Sequence, residues 1–541
     1  MTGTLEGLDT HVVERVRIPV RDGVRLAGLL YRPPGRPRPV LLVRTPYAEP
    51  FSRTLPVFPA LDAGFTVLVQ SCRGVGRSEG RLRTFENETA DGLDTLAWLR
   101  EQEWCDGRIA MFGASYLGMT QLAVSGHRPD GLVALALTVT PDDYRDGLAY
   151  RQGAFQLGQA LGWHLLTSAQ LGGMPAGREA AYDTLPLIDR PNLAEILPSW
   201  HTWLARENDP DYWRGISYAS RRADTAAPAL HVGGWFDLFL RGTLGNFTTM
   251  RGHLIVGPWS HTDRTGVLGE VVYPGGSEQA IRLEQQQVRF LQESTDGVPG
   301  SLPPVRIYVM GAGWRTENEW PLARTAWQDW FLGTDGTGGT LGRSLPPSGS
   351  AEYVHDPRDP VPTVGGAIVL APGPMGFQPG SRDQQVLDGR PDILRFTGPV
   401  LDHDLEVTGP LSVRLFASTS AADTDFTAKL VDVHPGGRAL AVADGIVRAR
   451  YRSGMDSPQA IEPGEVYEYT VDVGATSQVF AAGHRIRVDI ASSNYPCFDR
   501  NSGSGKPAGE VTEDDFVRAT QRVFFGEPYP SAIRLPVIPA E

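Results

Sequence analysis

Three residues far apart in the chain have the types and settings that acyl transfer needs. Ser115 lies in Ile109-Ala110-Met111-Phe112-Gly113-Ala114-Ser115-Tyr116-Leu117-Gly118, which reads as a buried strand, a sharp turn and the start of a helix. A serine on such a turn projects its hydroxyl from the top of a sheet and needs small or tightly packed neighbours. Glycines stand two before and three after it, but Leu117 occupies the second glycine's place in the common Gly-x-Ser-x-Gly spacing. Alone, the stretch also reads as an ordinary strand–turn–helix with a capping serine. A serine hydroxyl is too weakly acidic to attack unaided. A histidine must take its proton, and a carboxylate must hold that histidine in the right tautomer. Downstream, Gly233-Gly234-Trp235-Phe236 leads into Asp237, and Gly257-Pro258-Trp259-Ser260 leads into His261. Each follows an apolar strand run, and the order serine, acid, histidine is the one a parallel-sheet hydrolase uses.

Other candidates fit less well. His253 lies at the wrong end of its run. His231 lies inside a strand and reads as a satisfied core histidine. Asp263 comes after His261 in order, and the alternative for Asp237 is a helix N-cap. A tetrahedral oxyanion needs two donors. The N–H of Tyr116, the residue after the serine, supplies one. Tyr47, in the loop after an early strand, carries a phenol that could supply the other or simply pack.

These residues need a sheet to hold them. Residues 12–33 read as paired strands around Arg21-Asp22-Gly23. Val40-Leu41-Leu42-Val43, Thr66-Val67-Leu68-Val69-Gln70 and Leu132-Val133-Ala134-Leu135-Ala136-Leu137 are continuous apolar runs, as in strands buried on both faces of a parallel sheet. Residues 86–103 form an amphipathic helix whose acidic start suits the helix dipole. The loop Arg73-Gly74-Val75-Gly76-Arg77-Ser78-Glu79-Gly80 lacks the Lys-Ser/Thr of a phosphate loop and reads as structural. Alternating strands and helices define an α/β class domain over residues 1–142 and 223–325. Residues 143–222 lose strand runs and gain Leu, Ala and Trp, with helices expected over 154–170 and 199–207. After 325 the pattern is all-β, with period-two alternation at Leu411-Val413-Leu415 and Ile486-Val488-Ile490, which predicts a β-sandwich or jelly roll over 326–541. Residues 332–350, rich in Gly, Thr and Ser, read as an irregular linker.

Composition narrows the function classes. A chain of 541 residues implies about three domains. The net charge of -13 argues against nucleic acid as a main partner. Cys72, Cys105 and Cys497 are too few and too scattered for a disulfide framework or a zinc site, and no metal and no cofactor are expected. The N-terminal residues show no signal-peptide pattern, and no stretch reaches the roughly 18 apolar residues of a membrane span. A cytoplasmic protein without a membrane partner is the expectation, and a homodimer stays open.

The stretches Gly113-Ala114-Ser115-Tyr116-Leu117-Gly118, Gly233-Gly234-Trp235-Phe236-Asp237 and Gly257-Pro258-Trp259-Ser260-His261 together resemble the cocaine esterase family. That family also includes X-Pro dipeptidyl-peptidases and α-amino acid ester hydrolases, and its usual elbow is Gly-x-Ser-Tyr-x-Gly. Trp104-Cys105-Asp106-Gly107 and Ser492-Ser493-Asn494-Tyr495-Pro496 match its habits as well. The resemblance implies an α/β-hydrolase core with an inserted helical cap and a C-terminal jelly roll. It implies Ser115 as nucleophile, His261 as base, Asp237 as its orienter, and Tyr47 and the Tyr116 N–H as oxyanion donors. It also implies that Trp163 and Phe239 line the acyl pocket. Two departures stand out. Ser71-Cys72 precedes Arg73 where relatives commonly have an Asp, which puts a local salt bridge in doubt. Leu238-Phe239-Leu240 follows Asp237 where α-amino acid ester hydrolases place carboxylates. The expectation is a serine hydrolase acting on a small-molecule carboxylic ester with an aromatic or apolar acyl group. The alternatives are a peptidase or amide acylase of the X-Pro type, or a carbohydrate-binding protein with a decayed hydrolase.

Overall fold

A computed structural model describes residues 12–47, 56–173, 175–369 and 378–540. The chain opens with the antiparallel pair β1 (Val12–Pro19) and β2 (Arg25–Arg32), in register Val16 to Gly28. There follow β3 (Arg38–Thr45), α1 (Val57–Asp62), β4 (Thr66–Ser71), α2 (Glu88–Arg100), β5 (Cys105–Ala114), α3 (Tyr116–Ser125) and β6 (Leu132–Thr138). A short hairpin, β7 (Tyr150–Arg151) and β8 (Ala154–Phe155), begins the inserted segment. The segment continues with helices α4 (Leu157–Gln170), α5 (Pro191–Ile196), α6 (Ser199–Ala205) and α7 (Pro210–Ile216). The sheet then resumes with β9 (Ala229–Phe236), α8 (Leu240–Thr249) and β10 (Gly252–Ser260). Next come the small pair β11 (Val267–Leu268) and β12 (Val271–Val272), helix α9 (Leu283–Asp296), and the closing strands β13 (Val305–Val309) and β14 (Gly313–Glu317).

The ten strands of the main sheet lie in the order β1-β2-β4-β3-β5-β6-β9-β10-β13-β14. From β4 to β13 every neighbouring pair is parallel. The apolar runs at 40–43, 66–69 and 134–137 are fully buried, as strands covered on both faces must be. The carboxyl ends of β5, β9 and β10 therefore share one edge of the sheet, where a doubly covered parallel sheet presents its ligand crevice.

The predicted helix over 86–103 forms as Glu88–Arg100, but its acids do more than complement a dipole. Glu88 and Asp91 are buried, and they pair with Arg44 at 2.9 Å and Arg73 at 2.6 Å. Arg73 also meets Asp22 at 2.7 Å, so the bridge that Ser71-Cys72 put in doubt is supplied by other carboxylates. The loop 73–80 is structural in its contacts. Ser78 Oγ donates to the Ser71 carbonyl and accepts from the Ala27 N–H.

The inserted segment differs from expectation at its start. Residues 154–155 pair with 150–151, so the helix expected from 154 begins at 157. Beyond α6, Glu207 is buried and receives Arg450 at 2.7 Å and the Tyr451 hydroxyl at 2.6 Å. This anchors the insertion to the C-terminal domain.

That domain is an eleven-stranded sheet in the order β17-β24-β19-β25-β15-β16-β18-β23-β20-β21, with β22 on β19. Its strands are β15 (Ala326–Thr334), β16 (Gly339–Gly342), β17 (Gly349–His355), β18 (Leu394–Thr397), β19 (Leu405–Thr419), β20 (Asp425–Val433), β21 (Ala439–Arg448), β22 (Tyr467–Phe480), β23 (Arg485–Ala491), β24 (Ala519–Phe525) and β25 (Ala532–Ile538). The sheet curls so that Val413 and Leu415 of β19 share one core with Val488 and Ile490 of β23. The expected linker at 332–350 is instead strand, turn and strand. Leu332 pairs with Leu341 and both are buried, while the Asp335 carboxylate accepts the N–H groups of Thr337 and Gly338 to close the turn. Its glycines serve that turn rather than loosening the segment. Among the described residues no helix is long and apolar enough to cross a membrane, and the three cysteines are unpaired thiols.

Candidate active site

Ser115 sits between β5 and α3 with φ +55° and ψ −124°, a backbone conformation that side chains rarely adopt. Its N–H is held by the Thr138 carbonyl at 2.9 Å, which ties the turn to β6. The glycines around it are steric necessities. A Cβ on Gly113 would lie 2.3 Å from Leu117 Cβ, and one on Gly118 would lie 2.2 Å from Thr140 Cγ2. The close approach in this elbow is thus at 118, where α3 crosses the exit of β6. Leu117 packs back over Gly113, so a glycine at 117 is not required.

His261 follows β10, and its Nε2 lies 3.0 Å from Ser115 Oγ. Its Nδ1 lies 2.7 Å from Asp237 Oδ1, just past β9. The Asp237 side chain is fully buried and that of His261 is 13% exposed. The two motifs fold as they do because β9 and β10 pair in parallel with a register shift between Gly257 and Ser260. The shift turns Trp259 inward. Its ring would collide with a Cβ on Gly257 at 2.3 Å, and its carbonyl with a Cβ on Gly234 at 2.3 Å. The glycines exist to admit this tryptophan, and the indole N–H donates to the Gly276 carbonyl at 2.6 Å.

The rival assignments separate cleanly. The Asp237 side chain caps no helix, since α8 has Phe239 at its cap position with no side-chain bond there. Asp263 Oδ1 accepts from Thr265. His253 Nδ1 faces the Pro303 carbonyl at 2.8 Å. His231 is buried, and burial pushes its pKa down to about 3, so the ring is neutral. Neither of its nitrogens has a hydrogen-bond partner, which corrects the expectation of a satisfied core histidine. Its ring packs edge-on to Phe247.

Tyr47 follows β3 and is buried, and burial pushes its phenol up to about 12, so it keeps its proton at neutral pH. Its oxygen accepts from Trp163 Nε1 at 3.2 Å. Trp163, on α4, stacks on Tyr116 with ring centroids 6.0 Å apart. Phe239 stands edge-on to His261 at 5.3 Å. The inserted helices thereby bring one aromatic face to the serine side of the site, and the loop after β9 brings another to the histidine side. The Tyr116 N–H is the first of α3 and has no carbonyl four residues back within its helix.

Sequence reasoning missed the support beneath these groups. The Tyr116 hydroxyl donates to Glu88 at 3.0 Å, which is itself paired with Arg44. Phe85, at φ +68°, stacks between Tyr116 and Tyr144 with centroids at 4.9 and 4.0 Å. His164 is buried and held near pKa 4 by desolvation, and its Nε2 meets Ser199 Oγ at 2.9 Å. It braces Trp163 and Trp203, each with its ring centroid 5.1 Å away. Positions 85, 116, 144, 163 and 203 share no periodicity, so no local pattern could have joined them.

Comparison with known proteins gives the family. Residues 22–263 match the family described as X-Pro dipeptidyl-peptidase (S15 family), and residues 296–534 match the X-Pro dipeptidyl-peptidase C-terminal non-catalytic domain. The chain is 39% identical to the cocaine esterase of Rhodococcus sp. (strain MB1 Bresler), over 97% of this chain and 98% of that one. Among solved structures, an aminopeptidase from a marine sediment Thaumarchaeota archaeon superposes with TM-score 0.86 and 27% identity, covering 100% of this chain and 98% of that one. An α-amino acid ester hydrolase superposes with TM-score 0.84 and 26% identity, covering 99% and 98%.

Proposed function

The chain belongs to the cocaine esterase and X-Pro dipeptidyl-peptidase (S15) family of serine hydrolases, and from that membership we propose that it cleaves carboxylic esters through a Ser115–His261–Asp237 triad and an acyl-enzyme intermediate. Ester hydrolysis is the activity named for the Rhodococcus relative, a cocaine esterase. One observation carries the assignment of residues: Ser115 Oγ, both ring nitrogens of His261 and Asp237 Oδ1 form one hydrogen-bonded line of 3.0 and 2.7 Å.

In this reading Ser115 Oγ attacks the ester carbonyl while His261 Nε2 takes its proton. Asp237 holds the Nδ1–H and stabilises the imidazolium. The carbonyl oxygen becomes an oxyanion that the Tyr47 hydroxyl and the Tyr116 N–H stabilise. His261 then protonates the leaving alcohol. A water deprotonated by the same histidine attacks the acyl-serine and releases the acid. Tyr47 suits its part because burial keeps it protonated and Trp163 donates to its oxygen. Tyr47→Phe should lower kcat by roughly 10²–10³-fold with KM little changed, since the lost bond strengthens only as the oxyanion forms. Steady-state kinetics on a p-nitrophenyl ester measure this directly.

Trp163 and Phe239 flank the serine and the histidine, which supports an aromatic or otherwise apolar acyl group. We read the helices of residues 143–222 as a cap over the site, since α4 carries Trp163, and the C-terminal sheet as a jelly roll. A second reading, an X-Pro-type peptidase or amide acylase, has support in the family match and in the aminopeptidase superposition. Leu238-Phe239-Leu240 after the acid offers no carboxylate to hold a substrate ammonium, which favours the ester. Purified protein should turn over p-nitrophenyl esters of aromatic acids and leave Xaa-Pro-p-nitroanilides intact. Turnover of the anilide alone would overturn the ester reading.

A further inference from the structure

Away from the serine site, Asp432, His434 and His484 form a cluster that ester hydrolysis does not use. Asp432 lies in β20 and His434 just after it, so the two-residue period of a strand puts both on one face. His484 immediately precedes β23, and the antiparallel register Val433 to Arg485 brings it beside His434. The two imidazole centroids are 4.2 Å apart. His484 Nδ1 lies 2.8 Å from Asp432 Oδ1, and His434 Nε2 lies 3.7 Å from Asp432 Oδ2. One ligand-type atom from each residue falls within 4.8 Å of the other two. His434 Nε2 is itself buried and has no hydrogen-bond partner. The cluster opens onto a cleft lined from the N-terminal domain by Tyr273, Tyr308 and Met310, and from β22 by Gln478.

We propose that Asp432, His434 and His484 bind a divalent transition-metal ion of the zinc type at the junction of the two domains. An ion about 2.0–2.2 Å from each ligand needs ligand atoms roughly 3.0–3.6 Å apart; the imidazole nitrogens lie 2.8 and 3.7 Å from the two oxygens of Asp432, and one ligand atom from each residue falls within 4.8 Å of the others. Two imidazoles and one carboxylate select zinc, cobalt or nickel over calcium or magnesium, which prefer all-oxygen shells. The ion takes the place of the proton between His484 Nδ1 and Asp432: the ring binds as a neutral imidazole with its proton on Nε2, and a second ring proton, where the ring starts as the cation, leaves to solvent. Its fourth position faces the cleft and takes water. The nearby guanidinium of Arg438 is bound to Glu270 at 2.8 Å, so its charge is largely balanced. The ion clamps the end of β20 to the start of β23, which makes the role structural.

The test is equilibrium dialysis of tag-free, chelator-treated full-length protein against Zn²⁺, with metal analysis and thermal melting. The expected result is one ion per chain at micromolar or tighter affinity and a raised melting temperature. His434→Ala and His484→Ala should each weaken binding at least about tenfold and abolish the thermal shift, while ester hydrolysis without metal stays at the wild-type rate. His261→Ala should still bind, which separates this site from the triad. Cobalt-loaded wild-type protein should show visible d–d bands of a low-symmetry site, a readout that needs no variant. No zinc uptake by the wild type, or unchanged uptake by both histidine variants, would overturn the proposal.

Discussion

Ser115→Ala is expected to lower kcat for p-nitrophenyl ester hydrolysis by roughly 10⁴–10⁶-fold, because in the proposed mechanism the triad members act as a unit and losing the nucleophile abolishes the acyl-enzyme. KM should change little, since the hydroxyl contributes little to ground-state binding. Removing Oγ leaves the packing intact: the turn is held by the bond from the Ser115 N–H to Thr138 and by the close fits at Gly113 and Gly118. Melting temperature should therefore stay near wild type. A fluorophosphonate probe should label the wild type and fail to label the variant. Equal labelling of both would remove Ser115 from the mechanism, and an unreactive wild type would favour a decayed hydrolase.

Asp237→Asn is expected to cost about 10⁴-fold in kcat. The carboxylate accepts the Nδ1–H of His261 at 2.7 Å and is wholly buried, so no water can take its place. An amide there can present its NH₂ to Nδ1. That drives the proton to Nε2 and points it at Ser115 Oγ, where an acceptor is needed. The size of the side chain is unchanged, so the fold should tolerate it. The defect should appear in acylation, seen as loss of the pre-steady-state burst at unchanged KM. A loss below about tenfold would mean that another group orients His261, and Asp263, engaged with Thr265, is poorly placed for that.

Much of the site could be read from the chain because its parts are locally encoded. A strand run followed by Asp237, another by His261, and a glycine-flanked serine are short-range signals, and the topology of a parallel sheet brings their ends together. The elbow shows the boundary of that legibility. That Gly118 and not residue 117 must be small follows from Thr140, which meets α3 only after the chain has formed β6. The acids of α2 were legible as helix-start residues, but their buried pairing with Arg44 and Arg73 depends on strand-to-helix packing. The stretch 332–350 misleads for the opposite reason. Its glycines suggest a linker, while the pairing of Leu332 with Leu341 is a cross-strand contact that composition does not register.

The sequence by itself determined the order of the domains, the parallel sheet and the identity of Ser115, Asp237 and His261 as the residues to bring together, because hydrophobic periodicity and turn chemistry are properties of neighbours along the chain. Only the tertiary structure decided what surrounds them. The inserted helices set Trp163 against Tyr47 and Tyr116, buried Glu88 and Arg44 lie under the elbow, and His434 meets His484 across a strand pair. Those contacts join residues 44 to 116 positions apart, and their partners are chosen by packing and burial rather than by local pattern.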